Sequence, residues 1–151
     1  MKSTSSFLRQ LGFTGPGVLV NENQARLNIR SMQAKAARAK AVFRPHFKTH
    51  QSAVIGQWFA DEGVKAITVS SVDMAEYFAA HGWDDITIAF LLNPLQWTRI
   101  EALANEMDSR GGRLGLTIDS IGGARFISSQ RETPLRIWIK IDTGYGRTGV
   151  S

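Results

Sequence analysis

The feature that most constrains this chain is a regular beat. Short apolar runs, mostly β-branched, return between longer segments of helical periodicity. The runs "AVFR" (41–44), "KAITVS" (65–70), "DITIAFL" (85–91), "RLGLTID" (113–119) and "PLRIWIKID" (134–142) read as strands. Residues 22–40 precede them, residues 52–63, 72–82, 94–112 and 120–130 lie between them, and all read as helices. In the first of these, Ala25, Ile29, Met32 and Ala36 recur at helical spacing. "PGVLV" (16–20) reads as a further short strand leading in. Asn21 and Ser71 stand where N-caps belong, Pro94 opens a helix, and Gly63 and Gly82 stop two others. Runs such as "AITV", "ITIAFL" and "IWIKI" are apolar on both faces, which suits parallel strands covered by helices. The expectation is an α/β fold of about five parallel strands, with no linker or charge block marking a second domain.

The chain has 151 residues, 43% of them hydrophobic, enough for a single core. It contains no Cys, which removes disulfides, thiolate nucleophiles and Cys-based zinc sites. The N-terminal "MKSTSSFLRQLGF" lacks the apolar core of a secretory signal, and "ITIAFLL" (86–92) is too short to span a bilayer. The expected location is the cytoplasm, with no membrane partner. The net charge of +5 is local. No Asp or Glu occurs between Asn23 and Ala60, where Arg26, Arg30, Lys35, Arg38, Lys40, Arg44 and Lys48 fall. A solvated helix face meeting an acidic surface explains this better than a nucleic-acid face, because no reader motif accompanies the charge.

Polar residues cluster after the strands, at the ends where parallel α/β folds carry their sites. These are His46 and Lys48, Ser70 and Ser71, Asn93, Asp119 and Ser120, and the segment from Asp142 to Arg147. "GYGRTG" (144–149) has the letters of a dinucleotide fingerprint, but no helix and acidic residue follow it in this sequence. His46 and His50 are four apart, yet Pro45 precedes them and no third ligand is near, so a metal site is not expected. His50 reads as a cap or lining of the next helix, and His81 as a C-terminal helix cation. Lys48 lies between two histidines. A lysine becomes a Schiff-base nucleophile when its amine is held neutral, and the cations Arg44, His46 and His50 would favour that. From the residues alone, Lys48 reads equally as a reactive amine or as an exposed turn lysine.

The letters go further. "PGVLVNENQARLNI", "FRPHFKTHQS", "AITVSSVDMAEYFAAHG" and "IKIDTGYGRTGV", in this order from about Pro16 to Val150, resemble the D-threonine aldolase and D-serine dehydratase-like branch of the alanine racemase superfamily. These are fold-type III pyridoxal-phosphate (PLP) enzymes. The resemblance implies a partial (β/α)₈ barrel of TIM type, with residues 1–151 its N-terminal portion. It implies that Lys48 is the Schiff-base lysine and that His46 lines the cofactor pocket. Arg147 would stand near the phenolic oxygen of PLP. Asp142 would be a neighbour that orients Arg147 or another basic group, and Ser70 or Ser71 would lie in the mouth. The implied substrates are D-amino acids with a β-hydroxyl, dehydrated or cleaved by a lyase. The family's C-terminal β-domain, which carries divalent metal ligands, and the later barrel strands are not in this sequence. The chain is therefore expected to pair with a missing half or to self-associate, and to be inactive or weak alone. The alternative is a non-catalytic half-barrel that binds an anionic partner through its basic face.

Overall fold

The computed structural model describes residues 8–12, 14–15, 17–130 and 135–151. Helix α1, Glu22–Arg38, begins at the expected cap: Asn21 Oδ1 accepts the Gln24 N–H at 3.0 Å. A 3₁₀ turn, Phe47–Thr49, follows, then α2, Ala53–Asp61. Strand β1, Ile67–Val69, leads to α3, Val72–Ala80, and β2, Asp85–Leu91, to α4, Trp97–Ser109. Strand β3, Arg113–Ile118, precedes α5, Ile121–Gln130, and β4, Arg136–Ile139, comes last. Gly63 and Gly82 end their helices with φ of +86° and +85°, a left-handed backbone that glycine adopts freely.

The four strands form one parallel sheet in the order β1-β2-β3-β4. Each strand is adjacent to the next in sequence through a helical crossover, as in one arc of a TIM barrel. Alternation divides the sheet into two faces. Ile67 and Val69, Ile86 and Ile88, and Leu114, Leu116 and Ile118 line the face against the helices, and all are buried. Helix α3 packs on β2, and α4 packs on β3 and on α3. The opposite face carries Thr68, Thr87, Gly115, Thr117, Arg136 and Trp138 in register. A Cβ on Gly115 would lie 2.8 Å from Thr87 Oγ1 and 2.9 Å from Trp138 Nε1, so glycine lets the indole cross the sheet there.

Two expected strands do not form among the described residues. Residues 17–20 pair with nothing, and Val18 is 87% exposed. The run 41–44 is extended but unpaired. Only a single parallel bridge, His46 to Thr68, continues the sheet, with Thr68 N–H donating to Pro45 O at 2.9 Å. The β-branched pattern was present in both runs, but a strand also needs a neighbour to take its hydrogen bonds. Proline 45 cannot donate one. Arg44 serves instead as a tie: its guanidinium donates to Ile67 O at 3.1 Å and to Asp85 Oδ1 at 2.7 Å. The sheet therefore has four strands and a bridge, not five strands.

Candidate functional site

The segment 45–46 runs parallel to β1, so the 3₁₀ turn after it lies at the C-terminal end of the sheet. Phe47 anchors this turn. Its side chain is 0% exposed, and its ring meets those of His50, Phe59, Phe78 and Trp83 at centroid distances of 4.5 to 5.1 Å. Gly56 of α2 admits it: a Cβ there would stand 3.3 Å from Phe47 Cε2. One residue of the turn is thus driven into the core by burial, and its neighbours face outward. Lys48 is exposed, and among the described residues its amine has no ion-pair or side-chain hydrogen-bond partner.

His46 caps the turn. Its Nδ1 accepts the Lys48 N–H at 3.3 Å, so the neutral ring carries its proton on Nε2. Burial, then the charge of Lys48, hold His46 below the usual imidazole range, which keeps that acceptor available. His50 repeats the device, with Nδ1 accepting the Ser52 N–H at 3.2 Å at the start of α2. Burial also lowers its proton affinity. Both Nδ1 atoms are thereby occupied by backbone. Among the described residues no group of three or more His, Asp or Glu could hold a metal ion.

The second element is the loop after β4, at the same end of the sheet. A parallel bridge, Ile141 to Val150, closes it. Asp142 does not orient Arg147 directly. Its Oδ1 accepts the N–H groups of Gly144 and Tyr145 at 2.9 and 2.8 Å, and its Oδ2 that of Gly146 at 2.8 Å. These bonds, Gly144 first, hold the carboxyl below the usual carboxylate range. They also occupy three of the six amides with which "GYGRTG" could have cradled a phosphate. Arg147 lies with its guanidinium 5.5 Å from the centroid of the Tyr145 ring. Among the described residues no carboxylate pairs with it, whereas Arg26, Arg30, Arg44, Arg99, Arg110 and Arg136 are each paired.

Other sequence candidates at the strand ends serve the backbone. Ser71, Asn93 and Ser120 are helix caps, accepting the N–H groups of Met74, Leu95 and Gly123. Ser70 contributes its carbonyl to the Phe90 N–H. Arg44, read as a neighbour that would act on Lys48, points instead to Asp85 at the start of β2. Sequence reasoning overlooked Phe47. Its signal was an aromatic residue alternating with the polar letters of "PHFKTH". The basic helix is narrower than its letters imply, because Arg26 pairs with Asp61 at 2.9 Å and Arg30 with Glu62 at 2.9 Å. His81 caps α3 through the Tyr77 carbonyl. A largely apolar cleft of about 380 Å³ adjoins His46, Thr49 and His50 and runs under α1. A cleft of about 490 Å³ lies at the other end of the strands, beside Lys65, Trp83 and Arg113.

The comparisons bear on this arrangement. Residues 20–151 match the model of the alanine racemase N-terminal domain. The chain belongs to that family. Among its relatives is the D-threo-3-hydroxyaspartate dehydratase of Delftia sp. strain HT23, 30% identical over 138 residues. That match covers 89% of this chain and 35% of the dehydratase. A D-threonine aldolase of Arthrobacter sp. is 27% identical over 140 residues, covering 90% of this chain and 36% of the aldolase. The solved structure of the Delftia dehydratase superposes with a TM-score of 0.80 at 30% identity, over 93% of this chain and 37% of that one. The chain thus spans little more than a third of the length of these relatives. Its α/β sheet is part of the barrel of the alanine racemase N-terminal domain fold. No described helix is long and apolar enough to cross a membrane.

Proposed function

We propose that residues 1–151 are the N-terminal portion of a PLP-binding barrel, in an enzyme that dehydrates or cleaves D-amino acids bearing a β-hydroxyl. Lys48 is its Schiff-base lysine. The observation that carries this reading is the Lys48 turn. Among the described residues it is an amine without ion-pair or hydrogen-bond partners, on a core-anchored 3₁₀ turn at the C-terminal end of a parallel sheet. The similarity to a D-threo-3-hydroxyaspartate dehydratase and a D-threonine aldolase supplies the reaction class.

The residues present fit the cofactor. Lys48 Nζ is free to hold it covalently, and the Arg147 guanidinium, free of carboxylates, would face its phenolate oxygen. When bound, PLP draws electrons from the substrate α-carbon. When not holding the cofactor, Lys48 Nζ would be the base placed to take the substrate α-proton or return it. His46 stays neutral and keeps the turn closed, so that Lys48 approaches from a fixed direction. The Arg147 guanidinium would stabilise negative charge on the bound cofactor.

The edge strand supports a reading of the partner. Ile139 and Ile141 are 67% and 65% exposed and Trp138 44%, while Leu114, Leu116 and Ile118 of β3 are buried. An open parallel edge with apolar side chains calls for another strand. We assign it to the rest of the barrel, or to a second copy when the 151-residue chain is alone. Light scattering at micromolar concentration should then show association, and a compact monomer would contradict it. The cofactor reading is tested by PLP uptake followed by borohydride, which fixes a lysine-bound cofactor. Lys48→Ala should abolish covalent attachment and leave the circular dichroism of the helices unchanged. Attachment that survives would put the site on another lysine.

A further inference from the structure

The glycine-rich loop after β4 carries an organisation that its assignment to a cofactor site does not explain. Both oxygens of Asp142 are engaged by the loop's own backbone, through Gly144, Tyr145 and Gly146. The two ends of the loop are sewn together, with Asp142 N–H donating to Val150 O at 2.8 Å and Val150 N–H to Lys140 O at 2.9 Å. Gly149 permits that closure. Its φ is +115°, and a Cβ would stand 2.7 Å from Asp142 N. Tyr145 is 82% exposed, so the core does not hold its ring in place. What fixes Tyr145 is the set of three amides, its own and those of its two neighbours, gathered on the carboxylate. The Tyr145 ring in turn lies against Arg147.

The geometry points to Asp142 as a positioning residue: its carboxylate shapes the loop so that Tyr145 and Arg147 are presented together at the open end of the sheet. It is not itself a contact to a bound group, since turning toward one would strand three N–H donors. The loop's shape stands on its own. That Arg147 then meets the cofactor rests on the proposed function. The depressed proton affinity of Asp142 agrees with it, because a carboxylate that accepts three N–H groups resists protonation. The clamp is present above the ordinary carboxylate range and is lost as pH falls through the lower folded value.

Residue-resolved amide hydrogen exchange on the 151-residue chain tests this. In the parent, the amides of residues 144 to 146 should be protected. Asp142→Ala should speed all three by about tenfold or more, the scale of losing a charge-assisted bond. Asp142→Asn keeps one oxygen and loses the other. Gly146 should then exchange fast while Gly144 and Tyr145 stay partly protected. Unchanged exchange at these amides in Asp142→Ala, or a uniform loss across the whole sheet, would overturn the proposal. PLP uptake separates the two readings. If Asp142 acts through Arg147, then Asp142→Ala weakens uptake in the parent but adds little to Arg147→Ala. Full additivity would make Asp142 a direct contact and overturn the positioning role. If the exchange result holds while Arg147→Ala takes up PLP like the parent, the loop clamp stands and the cofactor role of Arg147 falls.

Discussion

The turn that carries Lys48 is held from beneath, and the loop that carries Arg147 is held from within. Phe47 is fully buried among Phe59, Phe78 and Trp83, so the first turn shares the cooperativity of the core. Around Arg147 no side chain from Asp142 to Gly149 is buried, and three backbone amides converge on one exposed carboxylate. Both devices present, at the same end of one sheet, a cation with no carboxylate partner among the described residues. The difference shows that the backbone carrying a cation can be held by two routes with different vulnerabilities. Damage to the first should unfold the protein, whereas damage to the second should loosen one loop.

The largest effect is expected at Phe47. Phe47→Ala should cost about 3–5 kcal/mol of stability, the usual loss for a buried aromatic residue. Denaturant titration reads this as a lower midpoint with unchanged slope. Asp142→Ala should leave the same midpoint close to that of the parent. A small effect at Phe47, or a large one at Asp142, would break the contrast between the two turns.

Gly115→Ala should come next. The added methyl meets Thr87 Oγ1 and Trp138 Nε1 inside contact distance, so the indole must leave the sheet face. Such overpacking costs about 1–3 kcal/mol. Because Trp138 belongs to β4, tryptophan fluorescence should change along with stability. A neutral substitution would mean that Trp138 does not tie the edge strand to β3.

The smallest effect is a pH dependence. His46 and His50 both bind protons less readily in the fold than the ordinary value of about 6.5. The unfolded chain therefore binds more protons as pH falls below that value, and stability declines there. It should be flat above neutral pH. His46→Asn, which can still accept the Lys48 N–H, should remove part of this slope, leaving the share of His50. A slope unaltered by His46→Asn would deny His46 its role as a neutral cap.

Much of the fold was legible in the letters. The apolar runs 67–69, 85–91, 113–118 and 136–139 formed strands because each had a neighbouring strand to take its hydrogen bonds. The caps at Asn21 and Ser71 and the stops at Gly63 and Gly82 follow from local backbone chemistry and formed as expected. Residues 17–20 and 41–44 had the same local pattern but lacked a partner, and pairing is a non-local property that no window of sequence contains. The position of Lys48 and Arg147 beyond strand ends was readable from the order of elements. Phe47 as anchor was not, since burial of one turn residue depends on the hole left at Gly56 in a different element. The true partners of Asp142 also escaped, because they are backbone amides and bear no letter.

The account rests most heavily on Lys48 as a cofactor lysine on a preorganised turn. Its most direct test is a peptide map of the intact 151-residue chain after PLP and borohydride. A phosphopyridoxyl group on Lys48 alone is the predicted result. No adduct, or adducts scattered over Lys35, Lys40 and Lys65 as readily as Lys48, would contradict it.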